Sequence, residues 1–181
     1  FLTRAGLQPG HILVDVGCGT LRGGIPLIRY LDPGKYYGIE SRQEALAEGL
    51  QELRDEGLEA KRPALICSND MAALELPVHF DYAWAYSVLF HMDEPAIEAC
   101  FRFLERQLRP GAFFYANVNI GTRTSRHWKE FPVIWRIMDA YRDLAARHGM
   151  SVEDIGSTGE LGHVSGKASH DLQRMLRFVR K

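Results

Sequence analysis

The stretch Val14-Asp15-Val16-Gly17-Cys18-Gly19-Thr20-Leu21-Arg22-Gly23-Gly24 joins an apolar run to a turn rich in glycine. Glycine tolerates positive φ and lets a ligand come close to the backbone. A dinucleotide fingerprint, G-x-G-x-x-G, would need glycine at position 22, where Arg22 stands, and the Gly-Lys-Ser/Thr of a P-loop is absent. The loop is built for close approach but carries neither common phosphate pattern. Two acids follow. Glu40 closes the run Tyr36–Glu40, where a carboxylate accepts from the vicinal hydroxyls of a ribose. Asp70, in Cys67-Ser68-Asn69-Asp70-Met71, is placed to accept from an exocyclic amine while Met71 covers a ring face. Together these point to a nucleoside ligand without a pyrophosphate. The bland alternatives are that Glu40 merely opens a helix and that Asp70 caps a short one; neither accounts for the joint arrangement.

The elements that must position these residues read from hydrophobic periodicity. Residues 11–16 form a β-rich run, 24–31 a helix, Tyr36–Glu40 and Ala64–Cys67 two further strands, and 81–86 a fourth. Ser41 and Glu44 form an expected capping box ahead of Leu46, Leu50 and Leu53, with Gly57 at the C-terminal cap. Asp93 is an expected N-cap with Pro95 in the first turn, and Ile97, Cys100, Phe101, Leu104 and Leu108 share one face. Pro110-Gly111 is read as a turn into a strand over 112–118. After a polar segment, 119–130, Pro132 is expected in the first turn of a helix that points Ile134, Met138, Tyr141 and Ala145 inward. Residues 150–155 read as a strand, and 156–170 as a mobile connection. The last residues, DLQRMLRFVRK, lean helical by periodicity, although a strand also fits. Strand–helix alternation implies a mostly parallel α/β sheet covered on both faces, with ligands bound beyond the carboxyl ends of its strands.

VDVGCGTLRGG, YYGIE, SNDM, FDYAWAYSVLFHM and LRPGAFFYANVN resemble successive motifs of the class I S-adenosylmethionine-dependent methyltransferases. The resemblance implies a Rossmann-like three-layer sandwich: a seven-stranded, mostly parallel sheet of order 3-2-1-4-5-7-6, with an antiparallel last strand. That would make the C-terminal segment a strand. It also implies S-adenosylmethionine as cofactor. Asp15, Gly17, Cys18 and Gly19 would hold the methionine end, Glu40 the ribose, Asp70 and Met71 the adenine, and Ser87 would sit beside the sulfonium. The chain departs from the family pattern at Leu21, where a third glycine is usual, so Arg22 is expected either near the cofactor carboxylate or directed outward.

His91 is the candidate base at the rim, although a structural role for its imidazole ranks ahead of a catalytic one. His79 is expected at the surface. Asn117, Asn119 and Arg123 are the candidate substrate contacts. The segment Thr122–Lys129, with three or four positive groups and Trp128, is a candidate anion-recognition loop or lid. Metal-dependent relatives need clustered acids where Asn117 and Asn119 stand, so no metal is expected.

The composition agrees. The 181 residues carry 22 Lys+Arg against 23 Asp+Glu, with 46% hydrophobic residues. That excludes a disordered polyelectrolyte and gives no global positive field for gripping nucleic acid. No apolar run approaches the roughly 20 residues of a membrane span. Three widely separated cysteines suggest a reduced, cytoplasmic setting. The chain is expected to be a single domain, 1–181, that opens on Phe1 and lacks an N-terminal portion. The expected function is methyl transfer to an O or N, with C as a further option, of a small molecule, an anionic one among the options. A non-catalytic S-adenosylmethionine-binding scaffold is the alternative, and Arg22 disfavours a nucleotide-dependent oxidoreductase.

Overall fold

The computed structural model describes residues 1–181. In chain order the elements are β1 (Leu13–Val16), α1 (Gly24–Tyr30), β2 (Tyr36–Glu40), α2 (Gln43–Asp55), β3 (Ala64–Cys67), β4 (Phe80–Ala85), α3 (Glu94–Gln107), β5 (Leu108–Val118), β6 (Arg126–Trp128), β7 (Phe131–Val133), α4 (Met138–Arg147), β8 (Met150–Ser157), α5 (Ala168–Asp171) and β9 (Arg174–Arg180). Seven strands form one sheet of order β3-β2-β1-β4-β5-β9-β8, parallel except that β9 runs antiparallel to both its neighbours. This is the Rossmann-like three-layer sandwich and strand order that the motifs implied.

The strand period of two sorts side chains to two cores. Val14, Val16, Phe114, Leu176 and Phe178 face α3 and α4, and Leu13, Tyr36, Tyr82, Trp84, Tyr115 and Met175 face α1, α2 and the N-terminal Leu2 and Leu7. The same alternation decides the C-terminal segment. Leu176 and Phe178 bury on one face and Met175 on the other, which a helical reading of the apolar spacing does not separate. Asp93 caps α3 as expected, its Oδ1 accepting from Ala96 N at 3.0 Å. Behind the sheet, His148 ties α4 to α3: its ring nitrogens lie 2.9 Å from Glu105 Oε2 and 2.8 Å from Glu98 Oε1.

Three local expectations need correction. The Ser41–Glu44 capping box does not form; α2 starts at Gln43 without a side-chain cap, and Ser41 Oγ turns to the buried Glu40 carboxylate at 3.4 Å. The hydroxyl donates to that carboxylate, and no side chain accepts from the first-turn N–H groups of α2. Pro110-Gly111 does not precede β5 but lies inside it, at a register shift where Gly111 takes φ +80°. Pro132 does not open a helix. It sits in β7, opposite His127 of β6, in a two-stranded ribbon whose open edge tolerates a missing N–H. Helix α4 begins only at Met138 and still buries Tyr141 and Ala145. The end of α2 is as read: Gly57 at φ +63° and the Leu58 N–H to Leu53 O bond, 3.0 Å, close a Schellman motif.

Candidate functional site

A cleft of about 950 Å³ opens at the carboxyl ends of the parallel strands. Gly17, Ser41, Ser68, Ser87 and Asn119, each the first or second residue after β1 to β5, all line it. Its size is at the upper end of small-molecule sites, roughly 300–1,000 Å³.

The glycine loop forms the floor. Gly17 (φ +71°) donates to Ile39 O at 2.7 Å, and a Cβ there would stand 2.6 Å from Val88 Cγ2. Gly19 (φ +56°) differs: no atom lies within 4 Å of its would-be Cβ, so its backbone faces open space in the cleft. Leu21 takes φ 59° and is fully buried, packing beneath Gly49, which compensates for its unusual backbone. Arg22 points outward to solvent and does not line the cleft.

Two expected cofactor contacts lie beneath this floor. Cys18 is buried with Sγ against Gly38, and burial, aided by the Asp15 and Glu40 charges, pushes its thiol up. Asp15 is buried and accepts from Tyr36 OH at 2.6 Å. Neither side chain lines the cleft, so any contact they make with a ligand comes from the backbone or after a local shift. Burial raises the Asp15 carboxyl to about 7, against the opposing Tyr36 bond and with Glu40's charge adding to the rise. A raised acid stabilises the fold below its unfolded value near 3.8, and that contribution is lost as pH climbs toward 7. Asp15→Asn removes the titration. The stability difference, variant minus wild type, is expected to shift in the variant's favour between pH 5 and pH 8, on the order of 2 kcal/mol as read from denaturant unfolding. An equal difference at both pH values would contradict the buried-acid assignment.

Glu40 is 6% exposed yet lines the cleft. Its Oε2 accepts from Gly19 N at 3.0 Å, and its Oε1 accepts from Arg42 N and Arg42 Nε, both at 3.0 Å. Arg42 in turn lies over the Phe131 ring, 5.5 Å from its centroid, so one cation joins the acid to the β6–β7 hairpin. At the end of β3, Ser68, Asn69 and Met71 line the wall. Asp70 is exposed and outside the lining; its Oδ1 accepts from Ala73 N at 3.1 Å and so caps the local turn.

A chain of amides supports the opposite wall. Ser87, at φ +61°, donates its N–H to Asn117 Oδ1 at 2.5 Å. Asn117 Nδ2 donates to Gln173 Oε1 at 2.6 Å, and Gln173 Nε2 to Asn119 Oδ1 at 3.2 Å. Asn117 is fully buried and does not reach the cleft, whereas Asn119, Ser87 and Gln173 do. Asn117 therefore positions Ser87 rather than lining the cleft. Gln173 carries no sequence signal, because it lies within the C-terminal segment whose period is ambiguous.

His91 lines the cleft, with Nδ1 2.6 Å from Pro132 O. A carbonyl only accepts, so Nδ1 carries the hydrogen, and in the neutral ring Nε2 keeps its lone pair. The structural and chemical readings of His91 are thus compatible. The hairpin is seated over the site by Ile134 N–H to Phe90 O, 2.8 Å, and by the buried Arg136, which donates to Met92 O and Glu94 Oε1. It brings Trp128, Phe131 and Arg126 to the cleft beside Arg123, while Lys167 and His170 come from the segment before β9. His79 is exposed and lies outside the cleft.

Fold and site together define an α/β domain whose cleft lies between a glycine-rich loop and a strand-end acid, without a phosphate-binding motif. The family profile described as a methyltransferase domain matches residues 14–114, and the chain belongs to that family. Residues in the chain are 32% identical over 107 positions to an uncharacterized methyltransferase of Schizosaccharomyces pombe, covering 56% of this chain and 37% of that protein. The chain thus spans little more than a third of that curated relative's length. Among solved structures, a magnesium protoporphyrin IX methyltransferase from Synechocystis superposes with TM-score 0.73 at 19% identity, over 99% of this chain and 74% of that one. A glycopeptide N-methyltransferase gives 0.75 at 18%, over 100% and 88%. A [4+2]-cyclase gives 0.67 at 23%, over 97% and 76%. At these identities the superpositions speak for the fold alone. No helix is long and apolar enough to cross a membrane.

Proposed function

We propose that this domain is an enzyme that binds S-adenosylmethionine and transfers its methyl group to an oxygen or nitrogen, or in a further case a carbon, of a small anionic molecule. The observation that carries the reading is the convergence of Gly19 N and the buried Glu40 carboxylate, 3.0 Å apart, at a cleft with no phosphate signature. The residues fit that cofactor. The space beside Gly19 is open, and Glu40 Oε2 has a lone pair beyond the Gly19 bond for a ribose hydroxyl. A second hydroxyl would take the place of Arg42 Nε on Oε1. Met71, with Ser68 and Asn69, is the wall for the adenine, and Asp70 has Oδ2 free for its amine once the side chain faces the cleft.

When bound, the cofactor supplies a methyl group on a positively charged sulfur, which an acceptor lone pair displaces while the sulfur–carbon electrons stay on sulfur. The chain's work is alignment and exclusion of water. Ser87 and Asn119, fixed through Asn117 and Gln173, bound the space where the acceptor lies. His91 Nε2 takes the acceptor's proton where one must leave. The neutral overall charge and the single cluster of cleft cations support a small anion over a nucleic acid as substrate.

The second reading, a domain that holds the cofactor without transferring methyl, requires the loop and Glu40 but no acceptor wall. The wall of His91, Asn119 and Trp128 favours the enzyme. Incubating the chain with S-adenosyl-[methyl-14C]methionine and a panel of small hydroxy and amino acids is expected to give protein-dependent label in at least one acceptor, with S-adenosylhomocysteine released in equal amount. Cofactor binding without transfer to any of them would select the binding module instead.

A further inference from the structure

The cleft's cations outnumber its acids. Arg42, Arg123, Arg126 and Lys167 line it against the single carboxylate Glu40, and Arg42 already pairs with Glu40. No carboxylate oxygen lies within 4.0 Å of Arg123, Arg126 or Lys167, whereas Arg29, Arg109, Arg147, Arg174 and Arg177 elsewhere each hold an acid. In a chain whose charges balance overall, residues 119–129 contain four basic or histidine side chains and no Asp or Glu. The Arg126 guanidinium is not free to wander: it lies over the Trp135 ring, 5.3 Å from the centroid, with its fork of donors left for a partner.

The same hairpin supplies an aromatic wall. Trp128 is 57% exposed at the cleft, and its ring stacks with Phe131 at 6.4 Å and 25°. His91 packs against both, 6.2 Å from Trp128 and 5.8 Å from Phe131. Lys129 Nζ lies over the Trp128 ring, 5.2 Å from its centroid, and the indole is still exposed enough for a flat ligand to cover apolar area on it. His91, Arg123 and Arg126 line the same cleft, so a ring on that wall would share it with an imidazole and two guanidinium groups.

We propose that the acceptor is an aromatic acid: a flat ring system that stacks on Trp128 and Phe131 and carries an oxyanion held by Arg123, Arg126 and Lys167. The proposal rests on the methyl-transfer reading for what happens to that molecule, but its recognition is testable by binding alone. Carboxylate and phosphate both present paired oxygens that accept from a guanidinium fork, so both are probed.

The experiment titrates the full chain, saturated with S-adenosylhomocysteine, with 2-naphthoate, 2-naphthyl phosphate, the neutral 2-naphthamide and the non-aromatic cyclohexanecarboxylate, following tryptophan fluorescence and heat. At least one naphthyl anion is expected to bind about 10-fold more tightly than both the amide and the non-aromatic acid, the effect of one charge-assisted contact. Whichever anion leads identifies the oxyanion. Arg126→Gln is expected to reduce the advantage over the amide to about 3-fold or less. Trp128→Ala, at an exposed position, is expected to weaken every naphthyl ligand while leaving S-adenosylhomocysteine affinity unchanged, and a thermal melt confirms that the variant is folded. An amide that binds as tightly as both anions, or an Arg126→Gln chain that keeps the full advantage, overturns the proposal. Retained S-adenosylhomocysteine binding in that case leaves the methyltransferase reading standing; failure of S-adenosylhomocysteine to bind at the outset removes that reading instead.

Discussion

Replacing Glu40 by alanine is expected to weaken S-adenosylhomocysteine binding about 100-fold, the loss of two hydrogen bonds to a charged acceptor. The effect is large because Glu40 is a buried carboxylate that simultaneously fixes the loop through Gly19 N and faces the cleft. Alanine removes the ligand's acceptor and leaves Gly19 N and the Arg42 guanidinium without their partner. Glu40→Gln keeps an acceptor of the same shape without the charge, and is expected to fall between wild type and alanine, at about 10-fold. Thermal melts of both variants separate lost contact from lost fold. Affinity unchanged in a folded Glu40→Ala chain would mean that the ribose is held elsewhere.

The second large effect distinguishes two glycines that look alike in sequence. Gly17→Ala is expected to destabilise the domain by about 3 kcal/mol, close to 10 °C in melting temperature for a chain of this size. Two costs combine there: a φ of +71° and a Cβ placed 2.6 Å from Val88 Cγ2, inside the support of the loop after β4. Gly19→Ala meets no neighbour and bears only the backbone cost, about 1 kcal/mol. Its methyl instead projects where the ligand approaches, so that variant should stay folded and lose affinity for S-adenosylhomocysteine. Equal melting temperatures for the two variants would contradict the placement of Val88 over Gly17.

This division of labour within the loop also shows how far the sequence could be read. Strand ends, the glycine turn and Glu40 were legible because short β-rich runs, stopped by glycine or an acid, have few alternatives in an α/β chain. The side-chain destinations were not. Asp15, Cys18 and Asn117 stand in the expected segments, yet all three turn into the core. Strand alternation determines this for Asp15 in β1 and Asn117 in β5, the turn after β1 does so for Cys18, and a motif match does not report which way a side chain goes. Asp70 illustrates the same limit at a turn, where its carboxylate has a local N–H within reach and uses it.

The hairpin was harder still. Its strands are three residues each and its first strand is wholly exposed, so it leaves no hydrophobic period to detect, and Pro132 read naturally as a helix start. The basic and aromatic content of the segment nevertheless marked it as a candidate anion site. Structure adds the placement: Phe90 O, Pro132 O and Arg136 fasten the hairpin over the cleft, so that His91, Trp128 and Arg126 meet in one wall. Gln173 became visible only once β9 was established as a strand, because its amide then falls beside Asn117 at the end of β5.

The most direct test of the whole account is a calorimetric titration of the wild-type chain with S-adenosylhomocysteine, with NAD in a parallel cell. The expected result is saturable one-to-one binding of S-adenosylhomocysteine and no comparable heat from NAD, since the loop carries Arg22 where the dinucleotide fingerprint needs glycine. A folded chain that gives no heat with S-adenosylhomocysteine, or that binds NAD more tightly, would contradict it.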